Sequence, residues 1–269
     1  AAELKKFENI LAYGQYPRQT ITETSVWHDD LKDMYSLYTM GNWHFEDQPL
    51  IKSENVNVPP PTYNISSYLD SAWRSLSNTT TTDPWIWSFH IRGIVHFLGD
   101  IHTPHHCCAL FNDDFPSGDY GGNRYKLNCP FGSACNNMHF LWDSVGFYHT
   151  LLNPLNPIYK NQFQENVTKM MEELPESTIN ADLTTYNPAA WNAETFKVAE
   201  KHGYGIPMYS WPTESYLETV RTESKKLIVL AGYRLGHILK SLVDRVPGEG
   251  SSYGREIGVW IFNVILVVV

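Results

Sequence analysis

The segment from Ile94 to His106, IVHFLGDIHTPHH, sets four histidines and an aspartate into an otherwise apolar run. Imidazoles and carboxylates in apolar surroundings cost a few kcal/mol each unless something satisfies them, and a metal ion satisfies both kinds at once. His96 and Asp100 stand at i and i+4, so a helix puts them on one face about 5–6 Å apart at Cβ, near enough to share a zinc ion. The same spacing recurs at His139 and Asp143 in NNMHFLWDSV. One such pair reads more readily as satisfied core histidine than as ligand. Two pairs, followed by further histidines after Asp100, shift the reading to metal. Asp29 in SVWHDDLK and His44 in GNWHFEDQ extend the donor supply; alone they read as an acidic turn and a buried aromatic strand, and beside the two helices they complete a ligand set.

The elements that must position these groups are mostly helical. Apolar periodicity of the helical kind runs through Ala2–Ala12, Thr24–Met40, Tyr63–Leu76, Trp85–Ile101, Asn137–Leu152, Asn161–Leu174, Pro188–Lys201 and Glu214–Val243, while strand-like alternation is scarce. Turn-forming stretches such as NVPPPT, NTTTTDP and FPSGDYGGN separate them. With 269 residues, 42% hydrophobic and 18% charged, the chain can bury one substantial core. The expected architecture is a single mostly-α domain over residues 1–245, with long functional loops, followed by a linker and apolar tail over 246–269.

The net charge of −9 gives the surface as a whole no attraction for nucleic acid or anionic membrane. A polyanion must be drawn by a local positive source, and bound divalent metal is one. Cys107, Cys108, Cys129 and Cys135 fall close together beside the His/Asp cluster. Zinc ligation, disulfides and free thiols all remain open for them, with disulfides favoured because no CxxC pair occurs, and Cys129 with Cys135 the first pairing to expect. Sequons at Asn64, Asn78 and Asn166 permit glycosylation in a secretory compartment. The first residues read as the middle of an amphipathic helix with no leader features ahead of them. The last, IGVWIFNVILVVV, are apolar but short of the ~20 residues of a membrane span; the start of a membrane or lipid anchor and a plain hydrophobic tail are the two readings.

In order along the chain, SVWHDD, WHFED, VHFLGDIHTPHH, GGNRY, MHFLWD, WNAET and AGYRLGHIL resemble the zinc-dependent class I nucleases, single-strand-specific endonucleases with 3′-nucleotidase activity that share a helical fold with bacterial zinc phospholipases C. The resemblance runs from the first residue to about Val243. It implies that Asp29, His44, His96 and Asp100 hold one zinc ion and that His106, His139 and Asp143 hold a second. In the family a third zinc is held by the bridging aspartate, here Asp100, with an N-terminal tryptophan and histidine that would precede Ala1. Two sites are thus expected to be complete in this chain. His102 and His105 stand where the family has other residues, and are expected behind the ligands or in the loop.

The resemblance also implies in-line attack by a zinc-activated hydroxide, with Asp29 and Asp100 at the reacting ions and Lys32 offsetting charge on the phosphoryl oxygens. Phe45 and Asp47 match the family's base-binding pair, a stacking ring and a carboxylate that accepts from base-edge N–H groups, which favours unpaired bases. Gly121, Gly122 and Asn123 would shape the cleft backbone. Single-stranded nucleic acid and nucleotides are the expected partners, no protein partner is implied, and the expected location is the secretory pathway, with the protein secreted, lysosome-like or anchored at the cell surface. Two other readings stand beside this one. A phospholipase C-like activity is opposed by Asp143, where those enzymes carry glutamate, and by the presence of Phe45 and Asp47; the other is a non-catalytic, zinc-stabilised surface protein.

Overall fold

The computed structural model describes residues 2–13, 20–78, 82–129, 136–148 and 157–247. Its centre is α5 (Pro84–Asp100), which begins where Asp83 accepts a hydrogen bond from the Trp85 N–H and Pro84 takes the first helical position, where a missing N–H costs nothing. From Ile91 onward every residue of α5 is buried, because helices pack on it from several sides: α1 (Ala2–Ala12), α4 (Ile65–Ser77) and the long α9 (Glu214–Leu242). One large core cluster joins Phe7 and Leu11 of α1, Leu69 and Leu76 of α4, Ile91 and Phe97 of α5 and Leu239 of α9. The metal-type residues His96 and Asp100 therefore stand on the most enclosed helix of the domain.

The expected helix over Thr24–Met40 is instead three pieces. α2 (Ile21–Thr24) starts on a reciprocal cap between Thr20 and Glu23, α3 (Trp27–Asp33) follows, and Ser36 at φ 57° turns the chain into a 3-10 helix over Tyr38–His44. The break has a local use. A continuous helix would engage the Ser25 carbonyl with the backbone four residues on, whereas here that carbonyl accepts from His96 Nδ1.

Two further expectations change. α6 covers only Met138–Asp143 instead of running on to Leu152, because Val145, Gly146 and Phe147 all take positive φ and end it; residues 149–156 lie outside the described set. α8 (Pro188–Val198) gives way to a π turn over Ala199–Gly203 where regular helix was expected to continue. α7 spans Pro157–Glu173.

Two short strands escaped the periodicity reading, β1 (Gln48–Ile51) and β2 (Cys108–Phe111), paired in parallel with Gln48 opposite Cys108. Parallel pairing lays the segments that precede both strands side by side. The Glu46 N–H donates to the His106 carbonyl at 2.8 Å, and His106 Nδ1 donates to the His44 carbonyl at 2.7 Å. Cys107 and Cys108 are buried free thiols, so neither is a disulfide partner; Cys135, half of the expected pair with Cys129, lies outside the described residues. No described helix is long and apolar enough to cross a membrane, and the tail from residue 248 is outside the described set.

Candidate metal centre and substrate cleft

Three imidazoles are oriented in the same way. His96 donates Nδ1–H to the Ser25 carbonyl, His106 to that of His44, and His139 to that of Gly121 at 2.8 Å. Each proton is thereby fixed on Nδ1, and the Nε2 lone pair is left to project inward, the arrangement that backbone acceptors impose on metal-binding histidines. His44 turns the other nitrogen to the centre: its Nδ1 lies 3.0 Å from His96 Nε2 and 3.1 Å from Asp100 Oδ2.

Asp29, His44 and His96 form one group whose donor atoms lie within 4.8 Å of one another, and His106, His139 and Asp143 form a second. Asp100 stands between them. Its Oδ2 is 3.2 Å from His96 Nε2 in the inner group and 3.8 Å from His106 Nδ1 beside the outer one. In the outer group Asp143 reaches His139 Nε2 at 3.1 Å and His106 Nε2 at 3.5 Å. All seven expected ligands converge, from α3, the 3-10 helix over Tyr38–His44, α5, the short 3-10 turn Pro104–His106 after it and α6.

The electrostatics follow from this convergence of imidazoles and carboxylates. Burial alone would lower the His96 and His106 pKa values, but Asp100, joined at His106 by Asp143, outweighs it and lifts them to about 9 and about 10. Burial would raise Asp100 and Asp143, yet the neighbouring imidazoles hold both well below the usual carboxylate range. His44 is pushed down by burial and so stays neutral. Imidazole nitrogens and carboxylates converge in each group. Each group can hold a divalent cation, and mixed imidazole and carboxylate donors suit zinc.

Both groups open on one cleft of about 360 Å³, and Lys32, Phe45, Asp47 and Asn123 line it as well. Lys32 Nζ sits 2.9 Å from Asp29 Oδ1, which raises its pKa against the opposing effect of burial; its ammonium is thus held at a metal-type carboxylate. Phe45 is 37% exposed, enough to offer a ring face. Asp47 is half-buried with its Oδ1 atom buried and unpartnered, and burial followed by the charge of Asp119 pushes its pKa up to about 6. Asn123 is exposed and donates to the Tyr120 carbonyl.

His102 and His105 point elsewhere. His102 donates Nδ1–H to the Leu98 carbonyl and accepts from Arg234 at 2.8 Å, and His105 bonds the Gly203 carbonyl of the π turn. Burial lowers both pKa values to about 3, so both are neutral.

Several residues around the site were given no orienting role by the sequence. The Ser25 and Gly121 carbonyls carry no side-chain signal, although a glycine pair beside a ligand segment hinted at the second: Gly121 has φ 57°, and a Cβ there would stand 2.3 Å from the His105 carbonyl oxygen. Buried Arg234 bonds Glu194 at 2.6 Å as well as His102, tying α9 and α8 to the end of α5; an arginine in the apolar run AGYRLGHIL was its visible trace. His28, next to Asp29, is buried with neither ring nitrogen hydrogen-bonded, packed on Phe97 at 4.5 Å.

A helical domain carrying two imidazole and carboxylate clusters at the floor of one cleft has the layout of a metal-dependent hydrolase. Comparison with known proteins gives the family. The S1/P1 nuclease family matches residues 1–244. Endonuclease 1 of Arabidopsis thaliana is 30% identical over 259 residues, covering 86% of this chain and 77% of its own length. The chain belongs to the S1/P1 nuclease family, and the reaction class that membership carries is phosphodiester hydrolysis.

Proposed function

We propose that the protein hydrolyses phosphodiester bonds in single-stranded DNA or RNA, and the phosphomonoester of 3′-mononucleotides, with zinc held by Asp29, His44, His96 and Asp100 and by His106, His139 and Asp143. The observation that carries this reading is that both ligand groups and the pair Phe45 and Asp47 line the same cleft. Bound zinc supplies Lewis acidity, lowering the pKa of water toward ~7 and drawing charge from phosphate oxygens.

The chain's own side chains do the rest. Lys32 adds positive charge at the cleft wall beside Asp29, where a phosphoryl group gathers negative charge as it reacts. Phe45 offers its exposed face to a base, and Asp47 Oδ1, free of internal partners, accepts from a base-edge N–H. Both contacts need a base outside a duplex, because stacking and edge recognition use surfaces that base pairing hides. Single strands are preferred for that reason.

Two measurements test the reading. Metal analysis after dialysis in zinc is expected to give at least two ions per chain, and fewer would overturn the ligand assignment. Phe45→Ala is expected to lower kcat/KM on single-stranded DNA and on 3′-AMP by roughly ten- to a hundred-fold, the equivalent of a lost ~1–3 kcal/mol stacking contact, with zinc content unchanged. A variant as active as its parent would place the base pocket elsewhere.

A further inference from the structure

The carbonyl that orients His139 belongs to a turn with little rigidity of its own. Gly121 and Gly122 both take positive φ, and neither lies in a helix or strand. If the Gly121 carbonyl is to fix a ligand, something must fix the turn. Asp119 does so. Its side chain is fully buried; Oδ1 accepts from the Leu110 N–H of β2 at 2.9 Å, and Oδ2 accepts from the Tyr204 hydroxyl at 2.8 Å. The Gly122 N–H is directed at the same carboxylate. Hydrogen bonds to an ionised group are stronger than neutral ones, and losing one partner leaves a buried oxygen bare.

Tyr204 reaches Asp119 from the far end of the domain's sequence. It directly follows the π turn Ala199–Gly203, an insertion that re-aims whatever comes after it. The turn's last carbonyl, that of Gly203, accepts from His105 Nε2 at 3.2 Å and from the Tyr216 hydroxyl at 3.0 Å. The Tyr204 ring stands edge-on to the His105 ring, with centroids 5.1 Å apart. On its other side His105 is packed against the glycine turn: a Cβ on Gly122 would stand 2.8 Å from His105 Nδ1 and 3.0 Å from the His139 backbone nitrogen. The segment after α8 thus backs the outer metal group while supplying no ligand to it.

We propose that Tyr204 is a positioning residue for the outer metal group: its hydroxyl, acting through Asp119, holds the turn whose Gly121 carbonyl orients His139. The proposal rests on the assignment of His106, His139 and Asp143 as zinc ligands. The inner group lies outside this chain of contacts, because His96 is oriented by the Ser25 carbonyl instead.

The test compares two hydroxyl deletions in the full chain. Tyr204→Phe keeps the ring and removes the bond to Asp119. Tyr125→Phe deletes the hydroxyl of the adjoining ring, 5.2 Å away between centroids, whose bond goes to the Ile206 carbonyl. Competition with a fluorescent chelator reads the two zinc affinities, with His139→Ala marking which is the outer, and calorimetry of the metal-free chains reads stability. Tyr204→Phe is expected to weaken the outer zinc about five- to ten-fold, at or below the lower end of the cost of losing a ligand's direct partner, and to leave the inner zinc within about two-fold. Tyr125→Phe is expected to leave both affinities within about two-fold at a comparable fall in Tm. Outer-zinc affinity unchanged in Tyr204→Phe, or weakened equally at both sites or in both variants, overturns the positioning role. A parent chain that holds fewer than two ions overturns the ligand assignment and the role with it.

Discussion

Three residues of the inner ligand group stand on the core, with half-buried Asp29 at its edge, and the outer group stands on turns. His96 and Asp100 hang from α5, whose second half is wholly buried, and His44 is drawn against them; the three are 5%, 8% and 7% exposed. His106, His139 and Asp143 are all half-buried and come from a loop and the six-residue α6. The two groups also differ in what holds their imidazoles: His96 relies on a carbonyl released by a helix break, and His139 on the carbonyl of a left-handed glycine. One group borrows its rigidity from hydrophobic packing, and the other from hydrogen bonds that a single backbone shift can lose.

The residue that joins the groups should have the largest effect. Asp100→Asn keeps the shape but removes the charge that faces His44 and His96 directly and His106 at longer range. Hydrolysis of single-stranded DNA is expected to fall by about a thousand-fold or more, with loss of the inner zinc and retention of the outer one on metal analysis. Both ions remaining, with activity near the parent's, would dissolve the distinction between the groups.

Gly121→Ala attacks the outer group from behind. Its added Cβ collides with the His105 carbonyl, and φ 57° resists a side chain, so the carbonyl that orients His139 must move. Outer-zinc affinity is expected to drop roughly ten- to a hundred-fold, the usual cost of losing an orienting partner, while inner-zinc affinity holds. Competition with a fluorescent chelator measures both, and parallel losses would show the two groups to be one unit.

The smallest effect is a stability difference that depends on pH. In the metal-free protein His96 and His106 have raised pKa values, about 9 and about 10. The stability they contribute is complete below the unfolded value near ~6.5 and is lost as pH rises through the folded values. Zinc replaces those protons, so the gap in Tm between zinc-loaded and metal-free protein should widen by several degrees from pH 6.5 to 9.5, the inner group giving way before the outer. At the acid end the sign reverses: the depressed Asp100 and Asp143 stabilise the fold above the ordinary carboxylate pKa and cease to as pH falls toward their folded values. Calorimetry with zinc and with a chelator at the two pH values checks this, and an unchanging gap would remove the protonated imidazoles from the account.

The proximity of the candidate ligands was legible because helix geometry translates i, i+4 spacing into neighbouring side chains: His96 with Asp100 and His139 with Asp143 needed no tertiary knowledge. Asp29 and His44 were legible only through the order of motifs, since nothing local ties them to α5. The strands were not legible at all. QPLI and CALF are four residues each, and CALF is buried throughout, so neither shows the alternation that marks a half-exposed strand. The breaks after Thr24 and Asp143 were missed because apolar periodicity continues through them, while the chain turns on Ser36, Val145 and Phe147, whose side chains do not announce a positive φ.

The parallel strand pair also ties the ligand set to contacts far apart in the sequence. His44 and His106 are 62 residues apart, and the chain between them holds both α4 and α5. Pairing β1 with β2 closes the chain over that helical hairpin, a non-local contact of the kind that slows folding. A metal site assembled this way exists only on the folded scaffold, and a chain whose helices fail to dock lacks the ligand set altogether.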